Sequence, residues 1–314
     1  MKAPGVVTGR YGTLGQVFFV NKDYWPLNTS LYVQDFKGND PKFISLLLST
    51  LSFGSQNAAG AVPGVNRNHL HAMEVCVPPL PTQRRIAGIL SAYDDLIENS
   101  QRRIKILEEM ARRLYREWFV HFRFPGREDC RFVESPLGEI PEGWEVKRLG
   151  QVAELNYGKS LKKEERCDGP FPVFGSSGQV GTHQSSLTKG PGIIVGRKGN
   201  VGSVFWCEDD FFVIDTAYFV TSALPLRFLY YVLPTLNFIN SDAAVPGLSR
   251  NQAYGLEIIV PPVALLESFC ELADVFEGHA VLLTKQIQNL RFARALLLPR
   301  LLSGQIDVEA LDHA

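Results

Sequence analysis

Side chains that could perform chemistry are sparse in this 314-residue chain, and each grouping falls short of what its reaction needs. The six histidines (His69, His71, His121, His183, His279, His313) stand in no G-x-S-x-G or H-E-x-x-H setting, so neither a nucleophile elbow nor a zinc hydrolase helix is encoded. His69-x-His71 near Cys76 has the residue types of a metal site. It falls, however, on an expected strand leading into Val77-Pro78, and its counterpart later in the chain is Gln252 and Tyr254, so ordinary packed or surface histidines are expected and no metal. Ala153-Glu-Leu-Asn-Tyr-Gly158-Lys159-Ser160 meets only the loosest form of a P-loop. Glu154 would put a carboxylate into the phosphate cradle, and Leu161 to Arg166 is too short and polar for the buried helix that must follow. Gly9-Arg10-Tyr11-Gly12-Thr13-Leu14-Gly15 and Gly196-Arg197-Lys198-Gly199-Asn200-Val201-Gly202 space their glycines three and three before a strand, whereas a dinucleotide fingerprint spaces them two and three before a helix. Val77-Pro78-Pro79-Leu80 and Val260-Pro261-Pro262-Val263 carry valine where an adenine methyltransferase loop needs an Asx to hold the exocyclic amine. These prolines instead stop a strand and start a helix.

What remains is a set of cationic and hydrogen-bonding side chains on expected loops. The two Gly-rich segments read as strand, tight turn, strand, with glycine allowing positive φ and the Arg and Lys side chains projecting outward. Two readings stand: contact with phosphate or base edges, or solvated hairpin tips. Lys159, Lys162, Lys163 and Arg166 form a cationic loop suited to sugar-phosphate contact or, equally, a solvated helix start. Between Leu137 and Pro262 there are eleven Lys/Arg and thirteen Asp/Glu, so any surface for a polyanion must be local, with Glu208, Asp209 and Asp210 turned away from it.

Composition limits the classes further. At 45% apolar residues the chain can bury two or three cores, and 32 Lys+Arg against 33 Asp+Glu leave a net charge of -1, no general polycation. The five cysteines (Cys76, Cys130, Cys167, Cys207, Cys270) are odd in number and lack a C-x-x-C pair, which fits reduced thiols. Neither a secretory n-region and apolar core near Met1 nor a membrane-spanning run is present, so a soluble cytoplasmic protein is expected.

The elements that must position these loops occur twice. Pro4 to Phe18 returns as Pro191 to Phe205, Val62-Pro63-Gly64-Val65-Asn66-Arg67-Asn68 as Val245-Pro246-Gly247-Leu248-Ser249-Arg250-Asn251, and Val77-Pro78-Pro79 as Val260-Pro261-Pro262. Each copy is a β-rich stretch followed by a long helix. The second has a leader, Gly143 to Gly190, before its Gly-Arg-x-Gly segment, while the first starts almost at that segment. The first unit is therefore expected to lack its opening half, to expose apolar surface and strand edges, and to be less stable or completed by another chain.

From Pro81 to Trp118 apolar residues recur in steps of four and three at Ile86, Leu90, Tyr93, Ile97, Ile104, Leu107, Ala111, Leu114 and Trp118, with Ser100 as the polar interruption. Phe269, Ala273, Phe276, Ala280, Leu283, Ile287, Leu290, Arg294, Leu297 and Leu301 follow the same steps in the second copy. A helix about 57 Å long cannot spend its whole seam on one small module. The expected fold is mixed α/β, with two repeated β-rich units separated by a long antiparallel two-helix coiled coil that acts as a spacer.

Pro78-Pro-Leu-Pro-Thr-Gln-Arg-Arg-Ile86, Glu117-Trp-Phe-Val-His-Phe-Arg-Phe-Pro-Gly126, Pro141-Glu-Gly-Trp-Glu-Val-Lys-Arg-Leu149 and Leu297-Leu-Pro-Arg-Leu-Leu-Ser-Gly304, in this order, resemble the specificity subunit of type I restriction-modification systems. The resemblance implies a partial first target-recognition domain at 1–80, a spacer helix at 81–120, a linker at 121–136, a complete second domain at 137–263, a second spacer helix at 264–303 and a tail at 304–314. It further implies a chain that is not an enzyme but reads a split double-stranded DNA target and docks methyltransferase and restriction subunits. Those partners would carry S-adenosylmethionine and ATP, and this chain no cofactor. Read this way, the candidates for DNA contact are Lys159, Ser160, Lys162, Lys163, Ser176, Ser177, Gln179, His183, Arg197, Lys198, Asn200, Arg250 and Asn251, with Arg10, Tyr11, Thr13, Arg67 and Asn68 in the first copy. The alternatives are a truncated scaffold that holds methyltransferase subunits without full DNA specificity, and an enzyme with an unfamiliar site.

Overall fold

The computed structural model describes residues 1–11, 15–51, 64–238 and 247–309. It divides into two compact units, Met1–Ile104 with Val281–Ala314, and Lys105–Ala280.

In the first unit, β1 (Gly5–Gly9) pairs antiparallel with β2 (Val17–Val20) and β3 (Ser30–Tyr32), giving the order β2-β1-β3. Strand alternation turns Val6 and Thr8 to one face, both nearly fully buried, and α1 (Pro41–Thr50) packs on β1 and β2 with Phe43 and Leu46 buried. Asp40 caps α1 by accepting from the Phe43 amide at 2.9 Å, with Pro41 preset for the first turn. The sequence places His69 and His71 on a strand, but they lie in a short helix, α2 (Arg67–His71), because the Asn66 side chain accepts from the Asn68 amide and starts a turn. The first of the long helices, α3 (Leu80–Tyr115), follows. Its Gln83, 2% exposed, spends its amide fully: it accepts from the Asp40 amide (2.9 Å) and donates to Asn39 Oδ1 and the Pro78 carbonyl (both 2.8 Å). That buried node explains the glutamine of the Pro-Pro-Leu-Pro-Thr-Gln segment.

The second unit begins with the end of α3, which widens into a π-helical turn, Arg116–Val120, in which Trp118 and Phe119 are both buried. The segment read as a linker carries Phe122 and Phe124 against Trp144, and then β4 (Phe132–Ser135), which forms a hairpin with β5 (Gly138–Pro141). The rest runs β6 (Glu145–Arg148), α4 (Leu149–Val152), β7 (Ala153–Tyr157), β8 (Phe171–Gly175), β9 (Gly178–His183), β10 (Gly192–Gly196), β11 (Val204–Cys207), β12 (Phe212–Val213), β13 (Ala217–Ser222), α5 (Leu226–Val232), α6 (Arg250–Gly255), β14 (Glu257–Val260) and α7 (Val263–Leu302). Four strands form one sheet in the order β11-β10-β13-β7, three another as β12-β8-β9, and β14 pairs with β6. One face of the first sheet packs on α5 and α7 through Ile193, Val195, Tyr218, Phe228 and Phe269, and the other is closed by Phe174, Phe211 and Val213. Arg227, buried on α5, binds Asp274 of α7 at 2.7 Å and Glu208 at 3.1 Å, with its guanidinium 3.7 Å from the Trp206 ring. Desolvation works against its charge, but Asp274 and Glu208 more than offset it and raise its pKa. Trp118 and Trp144 are core residues of this unit, whereas Trp25 of the first unit is 87% exposed.

The repeat is preserved in register. Gly5 faces Val20 and Gly192 faces Cys207; Val7 faces Phe18 and Tyr32, and Ile194 faces Phe205 and Phe219. Both long helices carry their heptad seam inward. In the first unit Ile86 and Leu90 of α3 pack with Leu297 and Leu301 of α7, while Tyr93, Ile97, Ile104 and Leu290 are half-buried and Ser100, Leu283 and Ile287 buried. In the second unit Ala111, Leu114 and Tyr115 of α3 and Trp118 of the π-helical turn pack with Phe269, Ala273 and Phe276 of α7, with Leu107 half-buried. In each unit the early part of one helix meets the late part of the other, so the helices are antiparallel. The stretch read as a tail folds back: Val308 is 2% exposed and, with Ile306, joins the Ile86–Leu90 cluster.

Candidate nucleic-acid interface

In the second unit β7 ends at Tyr157, and a glycine must follow. A Cβ on Gly158 would sit 2.1 Å from the Ile214 carbonyl oxygen, so only glycine lets the chain pass close beside β12. Lys159 then donates its amide to the Val213 carbonyl at 2.9 Å, which fixes the start of the cationic loop. That loop closes in a single 3-10 turn, Lys163–Glu165, rather than starting a helix. Arg166 is spent on structure, donating to the Val180 and Leu161 carbonyls at 3.1 and 3.3 Å, whereas Lys159, Ser160, Lys162 and Lys163 are exposed.

The Gly196–Gly202 turn behaves as its spacing predicts. Gly199 and Gly202 adopt φ +78° and +75°, and a Cβ on Gly196 would meet the Asn200 carbonyl at 2.1 Å. The amides of Arg197 and Lys198 both donate to the Thr216 carbonyl, at 2.9 and 3.0 Å, and the Leu248 amide donates to the Arg197 carbonyl at 2.8 Å. These bonds bring the Arg197 turn, β7 and the start of α6 together around Tyr157. The Arg197 guanidinium lies 4.9 Å and that of Arg250 4.8 Å from the centroid of this half-exposed ring. Each arginine gives one N–H to backbone, Arg197 to the Asp215 carbonyl (3.1 Å) and Arg250 to the Leu155 carbonyl (3.4 Å). Tyr218 packs beneath, 5.1 Å from Tyr157, and its hydroxyl donates to the Leu248 carbonyl at 3.0 Å. Burial, then Tyr157, raises its pKa against the pull of Arg197, so the phenol stays neutral.

Two aromatic-anchored guanidiniums, with Lys159 and Lys198 beside them in the chain, can take phosphate oxygens or the acceptor edge of guanine. Glu208, Asp209 and Asp210 follow the Cys207 end of the β10–β11 hairpin, about 13 Å along the strands from the turn.

The other candidates divide by environment. Ser177, Gln179, Asn200 and Asn251 are exposed. Ser176 is buried, its amide donating to Thr216 Oγ1 and its carbonyl accepting from Ser203, and His183 packs its ring on Phe212 while Nδ1 accepts from the Cys167 amide. In the first unit the Arg10 amide donates to the Thr29 carbonyl and the Val65 amide to the Arg10 carbonyl, repeating the bonds of Arg197, and Arg10 stacks on Tyr11 at 5.0 Å. Arg67 and Asn68 are exposed at the start of α2, and Thr13 lies outside the described residues. Tyr157 is the site residue that sequence reasoning missed, although an aromatic ending an alternating strand just before a Gly-Lys loop is a usable signal. Among the described residues no His, Cys, Asp and Glu side chains gather as a metal site, and no helix is long and apolar enough to cross a membrane.

Fold and site together define a tandem protein: two β-rich modules of one design, each continued by a long helix, with a cationic and aromatic cluster on the more elaborate module. The family model for the type I restriction modification DNA specificity domain matches residues 3–109 and 141–264, one match on each copy. The chain thus belongs to the type I restriction-modification DNA specificity family, whose members select the sequence and leave catalysis to other subunits. It is 28% identical over 303 aligned positions to the type I restriction enzyme MjaIX specificity subunit of Methanocaldococcus jannaschii, covering 86% of this chain and 68% of that one. It is 23% identical over 395 positions to the HindI specificity subunit of Haemophilus influenzae, covering 93% and 84%. The crystal structure of a type I S subunit from M. genitalium superposes with a TM-score of 0.62 at 18% identity over 96% of this chain and 83% of that chain, which establishes a shared fold.

Proposed function

We propose that this chain reads double-stranded DNA through the second unit, with Arg197 and Arg250 facing base edges and Lys159, Lys162, Lys163 and Lys198 holding phosphates. The observation that carries this is the convergence of both guanidiniums on Tyr157, since an arginine held on a ring loses less rotamer freedom on binding. The chain carries no cofactor of its own; methyltransferase and restriction subunits, bearing S-adenosylmethionine and ATP, join it in the cytoplasm. Exposed apolar residues on the long helices support such docking: Ile106, Met110, Leu272 and Val275 in the second unit, Leu96, Leu282, Phe292 and Leu296 in the first. One observation favours the second reading, a scaffold without full specificity: among the described residues the sheet of the first unit has three strands where the corresponding sheet of the second has four. Selection of bound sequences from random DNA, using the chain purified with its methyltransferase, tests both. An enriched motif supports the reader, and binding with no sequence preference supports the scaffold.

A further inference from the structure

In the second unit the corner between β12 and β13 holds the three loops of the interface together. The Ala217 amide donates to the Ile214 carbonyl at 3.1 Å and closes a turn with Asp215 and Thr216 at its tip. The Val213 carbonyl accepts from the Lys159 amide, the Thr216 carbonyl from the amides of Arg197 and Lys198, and Thr216 Oγ1 from the Ser176 amide at 3.3 Å. Val213, Ile214 and Ala217 are buried, whereas Asp215 is exposed. Its carbonyl accepts from the Arg197 guanidinium at 3.1 Å, which sets the arginine and the acid on adjoining surface.

A carboxylate on a surface that meets DNA is repelled by phosphate, and when ionised it only accepts hydrogen bonds. The donors on the major-groove edges are the N4 amino group of cytosine and the N6 amino group of adenine. Adenine sets the acceptor N7 beside its amino group, which repels a second acceptor, so a carboxylate suits cytosine. We propose that Asp215 determines specificity by accepting from cytosine N4, in the same base pair as a guanine held by Arg197 or in the neighbouring pair; this rests on the reading that Arg197 faces base edges. The repeat supports the assignment. Arg10 and Thr29 of the first unit match Arg197 and Thr216 and form the same amide-to-carbonyl bond, at 2.9 Å in both, while the counterpart of Asp215 is Asn28, which is also exposed. The anchor is kept, and the residue beside it changes from a carboxylate to an amide, the side chain that pairs with adenine N6 and N7 together.

Asp and Asn also both suit a turn, so the test must separate side-chain chemistry from backbone shape. Asp215→Asn does so, because it keeps the turn and nearly the same side-chain outline. Selection from random DNA is run with the full chain purified with its methyltransferase, as the parent, as Asp215→Asn and as Asp215→Ala. Affinity is then measured at low salt for the parent's selected site and for random DNA. The parent should select a motif containing a G·C pair at which Asp215→Asn loses the preference for cytosine, by about tenfold, in favour of adenine on the same strand. Asp215→Ala should lose that preference too, yet bind random DNA at least as tightly as the parent, because a charge that repels phosphate is gone. Identical motifs from all three proteins overturn the assignment and leave the arginine reading in place. Equal weakening on selected and random DNA in both variants also overturns it, since that marks a turn that has lost its shape. A parent with no motif at all removes the arginine reading and the role of Asp215 with it.

Discussion

In the first unit Arg294 of α7 lies 2.6 Å from the carboxylate of Asp94 on α3, at the one polar position of the α7 seam. Lys42 of α1 reaches the same carboxylate at 3.3 Å, so Asp94 joins three helices at a partly exposed node. Replacing Asp94 by Ala leaves two cations facing each other. We expect a loss of about 1 kcal/mol in the first unit, smaller at high salt, because both sides of the pair remain partly solvated. Chemical denaturation at low and high ionic strength measures it, and a salt-independent change would show that packing rather than charge is responsible.

The arginines on Tyr157 give a prediction about DNA. Arg197→Ala and Arg250→Ala should each weaken binding, by about 1–3 kcal/mol and unequally across sequences where the lost contact is to guanine, or uniformly where it is to phosphate. Tyr157→Phe keeps the ring and should bind as the parent does, while Tyr157→Ala should weaken both arginines at once. Unchanged affinity at low salt in both arginine variants would remove this cluster from the interface.

Gly158→Ala tests how the cationic loop is placed. Its Cβ has no room 2.1 Å from the Ile214 carbonyl, so either β7 or the Ile214 strand end must move. Loss of stability by about 1–3 kcal/mol and weaker DNA binding should appear together, since Lys159 hangs from the same backbone. A variant that melts as the parent does would mean that this close approach is not maintained.

Tyr115 makes the second unit sensitive to alkali. Burial pushes its hydroxyl up to about 12, with a hydrogen bond to Thr235 pulling the other way. In the unfolded chain it ionises near 10, so its contribution is complete below that pH and is lost as pH rises through 12, about 3 kcal/mol in all. Tyr115→Phe should flatten the fall in stability between those values, as read from unfolding midpoints across alkaline pH, and an identical profile would count against it.

The seam was legible because it rests on one periodicity: every apolar residue from Ile86 to Trp118 and from Phe269 to Leu301 that fits the four-three step is buried or half-buried. The turn of Gly199 and Gly202 was legible because positive φ is a local demand. What escaped were relations between distant residues. Nothing near Asp94 announces Arg294, and Tyr157 becomes a platform only when the Thr216 carbonyl draws the Arg197 turn alongside it. His69 and His71 were misplaced because a strand was expected before Val77 as before Val260. The stretch of the second copy pairs with β6, whereas among the described residues that of the first copy has no strand pairing, so a similar apolar stretch is a strand in one and not in the other.

The placement of the four tryptophans gives the molecule a one-sided optical signal. Three belong to the second unit, two of them in its core and Trp206 under a guanidinium, while the single indole of the first unit is already in water. Intrinsic emission will therefore report melting of the second unit and be nearly blind to the first. If the two halves come apart at different temperatures, fluorescence and far-ultraviolet dichroism will trace different curves, and their separation will measure how independently the halves unfold.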